Sequence, residues 1–187
     1  ARGRKVISDN VYGSMFDAIG NTPLIRLARA SRETGCEVYG KAEFMNPGGS
    51  IKARAALYLI KDAEDRGLLT PGKPGIVVES SGGNTGISLA EIATARGYKS
   101  ICVIPDDQSK DKKDMLRQAG ATLVEVPRVP YTNPNNYIRL GRRIAANLGA
   151  VYSNQFDNTA NRQAHVVSPA PEIWAQTGGK MDGFPAR

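Results

Sequence analysis

Histidine occurs once in this sequence, at His165, and cysteine only twice, at Cys36 and Cys102. The two cysteines lie far apart and form no CxxC pair, so the ligand spacing of a structural zinc site is missing and no metal is expected. Two unpatterned cysteines also fit a reducing compartment. Long apolar runs are absent as well. The longest clean one, Ile101-Cys102-Val103-Ile104, has the length of a buried strand, whereas a membrane helix needs about 18 residues. No membrane role is expected. Aromatic residues make up 6% of the chain and its basic residues are scattered, so the formal charge of +7 comes with neither an aromatic platform nor a basic helix. Nucleic acid is therefore not an expected partner. The one local basic excess, Arg2, Arg4 and Lys5 ahead of Asp9, reads as a solvated tail or the stub of an Arg-rich transit peptide. Internal repeats and low-complexity segments are lacking too.

What is present is a chain of 187 residues, 41% apolar, enough for one domain with a core. From Ile76 onward short β-rich runs alternate with helical patterns, which predicts an α/β fold with a parallel sheet covered by helices, in the order βαβαβαβ. The strand candidates are 76–79, 100–105, 122–126 and 150–154. One helix after Ile87 ends at Gly97, one after Ser109 ends at Gly120, and a third runs over 135–148 with Gly149 behind it. Ahead of this unit, Ser50 is placed to cap a helix that starts at Ile51 and closes at Gly67. Residues 1–46 and 156–187 are less regular and are expected to form another layer or domain.

Three segments are candidates for chemistry. The turn Asn46-Pro47-Gly48-Gly49-Ser50-Ile51-Lys52 delivers a lysine to the first turn of a helix, where the helix dipole and any burial disfavour an ammonium and favour a nucleophilic amine. A solvated lysine near a helix start has the same spacing. The loop Ser80-Ser81-Gly82-Gly83-Asn84-Thr85-Gly86 joins a strand to a helix, so its glycines admit close backbone approach and its helix-start N–H groups can receive a carboxylate or phosphate. It is neither a GxGxxG nor a Walker loop, and it could be a plain turn. Asn154-Gln155-Phe156-Asp157-Asn158 follows a strand end, where open α/β sheets have their crevice; its amides can orient a ligand or cap the next helix. His165 has no partner fixed by the sequence and reads as structural.

Taken in order, these segments resemble the fold-type II pyridoxal-phosphate enzymes related to the tryptophan synthase β chain. Within them the chain is most similar to the cysteine synthase (O-acetylserine sulfhydrylase) and cystathionine β-synthase family. The resemblance rests on Ile19-Gly20-Asn21-Thr22-Pro23-Leu24, on Lys41 through Lys52, on Gly83-Asn84-Thr85-Gly86, on Asn154 through Asn158 and on Pro171 through Lys180. The wording is most like fungal members. It implies that Lys52 carries pyridoxal 5'-phosphate covalently and that Asn84 binds the cofactor's phenolic oxygen. Ser81, Gly82, Gly83, Asn84 and Thr85 would hold the substrate carboxylate, with Gln155 completing that grip. The implied reaction is β-replacement, making L-cysteine from O-acetyl-L-serine and sulfide in a homodimer. A small mobile domain over 46–156 would close on the ligand, with 1–45 and 157–187 forming part of a large domain.

The pattern departs from the family at Ala53, where aspartate is usual, at Ser81-Gly82, where Thr-Ser or Thr-Ala is usual, and at Ser168-Pro169-Ala170, where Thr-Thr-Gly is usual. The family's phosphate-holding loop is expected after Phe184, so the chain reads as C-terminally truncated, with its second domain incomplete. Two other readings stand beside cysteine synthesis: a cystathionine β-synthase-like activity, and a truncated, non-catalytic homologue acting through binding or dimerisation. Fungal-like wording fits the cytoplasm or the mitochondrion.

Overall fold

The computed structural model describes residues 11–185, so the basic cluster at Arg2, Arg4 and Lys5 lies outside the described residues. The described residues open with a short 3-10 turn and a small antiparallel pair, β1 (Leu24–Arg26) and β2 (Tyr39–Lys41), joined through α1 (Ala28–Thr34). A second 3-10 turn, Glu43–Met45, leads into α2 (Lys52–Asp65). Then comes the alternating unit: β3 (Ile76–Glu79), α3 (Asn84–Ala95), β4 (Lys99–Pro105), α4 (Lys110–Gln118), β5 (Ala121–Val126), α5 (Tyr137–Leu148) and β6 (Val151–Tyr152). Two helices, α6 (Ala160–Val167) and α7 (Pro169–Gln176), complete it.

The four strands of that unit form one parallel sheet in the order β5-β4-β3-β6. The chain starts in the middle at β3, steps outward through β4 and β5, and returns past β3 to lay down β6. The winding direction thus reverses between β3 and β6, which opens a crevice at their carboxyl ends. Alternate residues serve opposite faces, as a period of two demands. Val77 packs with Leu89, Ile92 and Ala93 of α3 and with Ala56 and Ile60 of α2, and Cys102 and Ile104 pack with Ile87, Ala90 and Leu116. Val78 and Val103 pack with Ala145 of α5 on the other side. Cys102 is buried and Cys36 is exposed.

The expected βαβαβαβ order is present, and β3 spans the predicted residues. The fourth strand, β6, is shorter than the expected 150–154. Asn154 takes a left-handed conformation, φ 53°, which ends the ladder after Tyr152, although Ser153 N–H still donates to the Val78 carbonyl at 3.1 Å. The helix expected after Ile87 begins three residues earlier, at Asn84, which puts Asn84 and Thr85 in its first turn. Ser50 serves α2 from just outside it: its Oγ accepts the Lys52 N–H at 3.2 Å.

Candidate active site

Two helix starts stand side by side. The Asn46–Ser50 turn brings Lys52 in as the first residue of α2, and the Ser80–Gly83 loop brings Asn84 in as the first residue of α3; Asn84 Nδ2 donates to Ser50 Oγ at 3.2 Å. Lys52 is half-buried and its amine makes no hydrogen bond or ion pair among the described residues. Gly48 explains how the turn seats so closely. A Cβ there would lie 2.5 Å from Ser88 Oγ and 2.8 Å from Glu91 Oε2, both on α3.

On the other side of the Ser80–Gly83 loop is a cleft of about 330 Å³ at the carboxyl edge of the sheet. Ser81, Gly82 and Gly83 form one wall, and Gln155 and Phe156, from the loop after β6, form the facing one. Two cations that the sequence reading did not single out, Lys112 on α4 and Arg128 after β5, also line it. Arg128 is held by Asp107, with Nε 2.5 Å from Oδ2. The loop's own geometry is fixed locally: Ser81 Oγ accepts the Gly83 N–H at 3.3 Å, and Gly86 has no room for a Cβ against the Ser81 carbonyl.

Gln155 is not free to rotate. Its Nε2 donates to Glu79 Oε1 at 2.7 Å, its main-chain carbonyl accepts from Asn161 Nδ2 at 2.9 Å, which fixes the backbone it hangs from, and the Ser153 hydroxyl meets the other oxygen of Glu79. Burial pushes the Glu79 carboxyl above its ordinary value, against the opposing hydrogen bonds from Ser153 and Gln155.

Beneath Lys52 lies a second polar cluster. Arg54, wholly buried, reaches Glu43 (Nε to Oε2, 2.8 Å) and Glu172 (Nη1 to Oε1, 2.7 Å), and its Nη1 also donates to Ser168 Oγ. Glu172 further accepts from Lys41 Nζ at 2.7 Å and from the Asn21 N–H at 2.9 Å. Burial would raise Glu172, but these donors outweigh it and hold the carboxyl at about 2. Asn46 joins the cluster by accepting the Gly20 N–H at 2.9 Å and donating to Glu43 Oε2 at 2.9 Å. The Gly20-Asn21-Thr22 and Pro171-Glu172 motifs thus act here as scaffolding for the lysine turn. Helix α6 packs on α2 and carries His165, whose imidazole is lowered by burial and then by the charges of Lys52 and Arg54.

The structure therefore gathers the sequence candidates into two adjoining groups: Lys52 with Asn84, and Ser81, Gly82 and Gly83 with Gln155. Thr85 is buried in the first turn of α3 and does not line the cleft. Sequence reasoning missed Glu79, Ser153 and the Arg54 cluster. An acid closing the apolar run Ile76-Val77-Val78 was the available signal for the first. The free Lys52 amine at a helix start, with an amide beside it and a glycine-rich loop behind it, fits a carbonyl cofactor that bonds a lysine and sits next to an amino acid.

Residues 15–186 match the pyridoxal-phosphate dependent enzyme family, and the chain belongs to it. Among curated relatives, it is 61% identical over 178 residues to cysteine synthase 1 of Neurospora crassa, a match covering 95% of this chain and 47% of that one. It is 59% identical over 171 residues to cysteine synthase 1 of Emericella nidulans, covering 91% and 46%. The fold superposes on a crystal structure of O-ureido-L-serine synthase with a TM-score of 0.83 at 40% identity, over 91% of this chain and 52% of that one. The chain spans about half the length of the curated relatives it matches. Among the described residues, no helix is long and apolar enough to cross a membrane.

Proposed function

We propose that this chain carries the lysine-bearing half of a cysteine synthase site, where L-cysteine is made from O-acetyl-L-serine and sulfide. The observation that carries the reading is the pairing of the α2 and α3 starts, which sets Lys52 beside Asn84 and backs both with the glycine loop. Support for the substrate comes from the Neurospora crassa and Emericella nidulans relatives, both named cysteine synthase 1.

In this reading Lys52 holds pyridoxal 5'-phosphate covalently and Asn84 orients its ring. When bound, the cofactor draws electron density from the α-carbon of the amino acid. Ser81, Gly82 and Gly83 receive the substrate carboxylate beside the N–H groups that open α3 at Asn84, where an anion is favoured; the buried Thr85 side chain takes no part. Gln155 closes the opposite wall. With its amine free, Lys52 would take the proton from Cα as acetate leaves Cβ and, after sulfide bonds to Cβ in its place, would return that proton to Cα. Lys112 gives the cleft a positive rim that attracts anionic reactants, while the charge of Arg128 is balanced by Asp107.

The unit 46–156 holds the whole parallel sheet, and we read it as the small domain that closes on the substrate. The ion pairs from Arg54 to Glu43 and Glu172 pin the start of α2 to the rest of the chain, so closure pivots about that cluster. A homodimer in the cytoplasm or mitochondrion completes the reading; one relative, 40% identical, is a putative mitochondrial cysteine synthase of Saccharomyces cerevisiae.

The test is to load the protein with pyridoxal phosphate, reduce it with borohydride and map the modified residue by mass spectrometry. Label on Lys52, absent in Lys52→Ala, with cysteine formed from O-acetyl-L-serine and sulfide, is the expected result. Label scattered over surface lysines would leave the non-catalytic alternative in its place, and cystathionine formed in preference to cysteine would favour the cystathionine β-synthase-like one.

A further inference from the structure

Glu79 closes β3 directly before the Ser80–Gly83 loop and is only 1% exposed. Its Oε1 accepts from Gln155 Nε2 at 2.7 Å, and its Oε2 lies against the Ser153 hydroxyl. That hydroxyl also lies 3.1 Å from the Val78 carbonyl oxygen. A serine hydroxyl has one hydrogen to give, and a carboxylate and a carbonyl are both acceptors only. With Glu79 ionised, one buried contact would bring two lone pairs together with no hydrogen between them. With Glu79 protonated the conflict disappears. Oε2–H donates to Ser153 Oγ, the Ser153 hydroxyl donates to the Val78 carbonyl, and Gln155 Nε2 donates to Oε1. Each link then has one donor and one acceptor, which is the arrangement buried polar chains require.

We propose that Glu79 stands as an un-ionised acid and is a positioning residue, whose carbonyl oxygen takes one of the two Gln155 Nε2 hydrogens and so leaves the other at the wall of the substrate cleft. This builds on the reading of Gln155 as part of the carboxylate grip.

The surroundings agree with a neutral acid. Cys102 faces Glu79 across the β3–β4 register, its thiol pushed up to about 12 by burial. Tyr152 on β6 is also raised by burial. Arg142, beside Tyr152, is turned to that ring at 5.7 Å and to Asp157 Oδ2 at 2.7 Å. Among the described residues no ion pair reaches Glu79, whose side chain is held by the hydrogen bonds to Ser153 and Gln155. Burial without a counter-charge disfavours the ionised form.

A glutamine at this position reproduces the pattern atom for atom, with its oxygen accepting from Gln155 and its nitrogen donating to Ser153. A leucine fills the space and supplies neither. The experiment therefore compares wild type, Glu79→Gln and Glu79→Leu in the full protein loaded with pyridoxal phosphate. The infrared difference spectrum of wild type minus Glu79→Gln at neutral pH is expected to show the carbonyl stretch of a protonated carboxylic acid. A carboxylate band in its place overturns the proposal. In the same set, Glu79→Leu is expected to raise KM for O-acetyl-L-serine about tenfold with kcat little changed, the worth of one well-placed hydrogen bond, and Glu79→Gln to restore it. A glutamine variant as impaired as the leucine variant also overturns it. The infrared band is read without turnover, so an acid band in a protein that binds no amino acid would uphold the state of Glu79 and defeat the functional reading of the cleft.

Discussion

Arg54 and Glu172 meet as a two-pronged pair, with Nη1 and Nη2 each 2.7 Å from a different carboxylate oxygen, although 118 positions separate them in the chain. The pair ties α2 to α7, and Glu43 on the far side of the guanidinium ties both to the turn ahead of Lys52. Removing one partner leaves a buried charge under-compensated, which costs ~3–5 kcal/mol. Glu172→Gln is expected to lower the unfolding free energy by that order in urea titrations. A loss below ~1 kcal/mol would show that Glu43, Thr22 and Ser168 suffice to hold Arg54 alone.

Two carboxyls give stability opposite slopes with pH. Glu172 is held at about 2 against an ordinary 4.5, so its contribution is complete above 4.5 and is lost as pH falls through about 2. Glu79 is raised, so what it contributes is complete below 4.5 and declines as pH rises through its folded value. Unfolding free energies measured across pH should show a shallower acid decline in Glu172→Gln and a shallower decline toward higher pH in Glu79→Gln. Profiles parallel to wild type would show that neither group changes its proton affinity on folding.

Gly48 is where the lysine turn lies against α3. Gly48→Ala brings a methyl to within 2.5 Å of Ser88 Oγ, a short side chain on a buried helix face, so the turn must shift. A cost of ~1–3 kcal/mol is expected in thermal or urea unfolding, together with slower labelling of Lys52 by pyridoxal phosphate. Labelling at the wild-type rate would show that the turn moves as a unit and keeps its lysine in place.

Gly82 stands in the wall of the cleft with no side chain of its own. The three atoms nearest to a Cβ there all belong to Gln108, at 3.0 Å for its Cγ, and that side chain can swing aside. Gly82→Ser is therefore expected to fold normally and to bind amino-acid carboxylates about fivefold more tightly, the gain of one added hydrogen bond. Calorimetric titration decides it, and weaker binding would mean that the hydroxyl blocks the cleft.

The sheet was legible because its signals are local. Each of its helices closes on a glycine in the left-handed region, at Gly97, Gly120 and Gly149, and the strands between them are short apolar runs. The β1–β2 pair escaped notice because three residues on each side are too few to show a period, and α7 because Pro169 stands at its start in a stretch without a cap. The site was legible as motifs but not as a network. Lys52, Asn84 and Gln155 announce themselves by their neighbours in sequence. Glu79 and Ser153 lie 74 positions apart, and Arg54 and Glu43 acquire meaning only once α2 is folded against its surroundings. Burial is what turns these ordinary acids into determinants of the site, and burial is a property of the assembled sheet.

The two thiols differ in a way that makes the chain its own folding clock. Cys36 is open to reagents, while Cys102 is enclosed in the β4 core with its ionisation suppressed to about 12. A thiol-reactive dye should therefore capture one equivalent quickly and the second only at the pace at which the central sheet opens. No engineered probe is needed. The lag between the first equivalent and the second reports sheet opening directly, and its lengthening on adding pyridoxal phosphate or an amino acid would register occupancy of the neighbouring site.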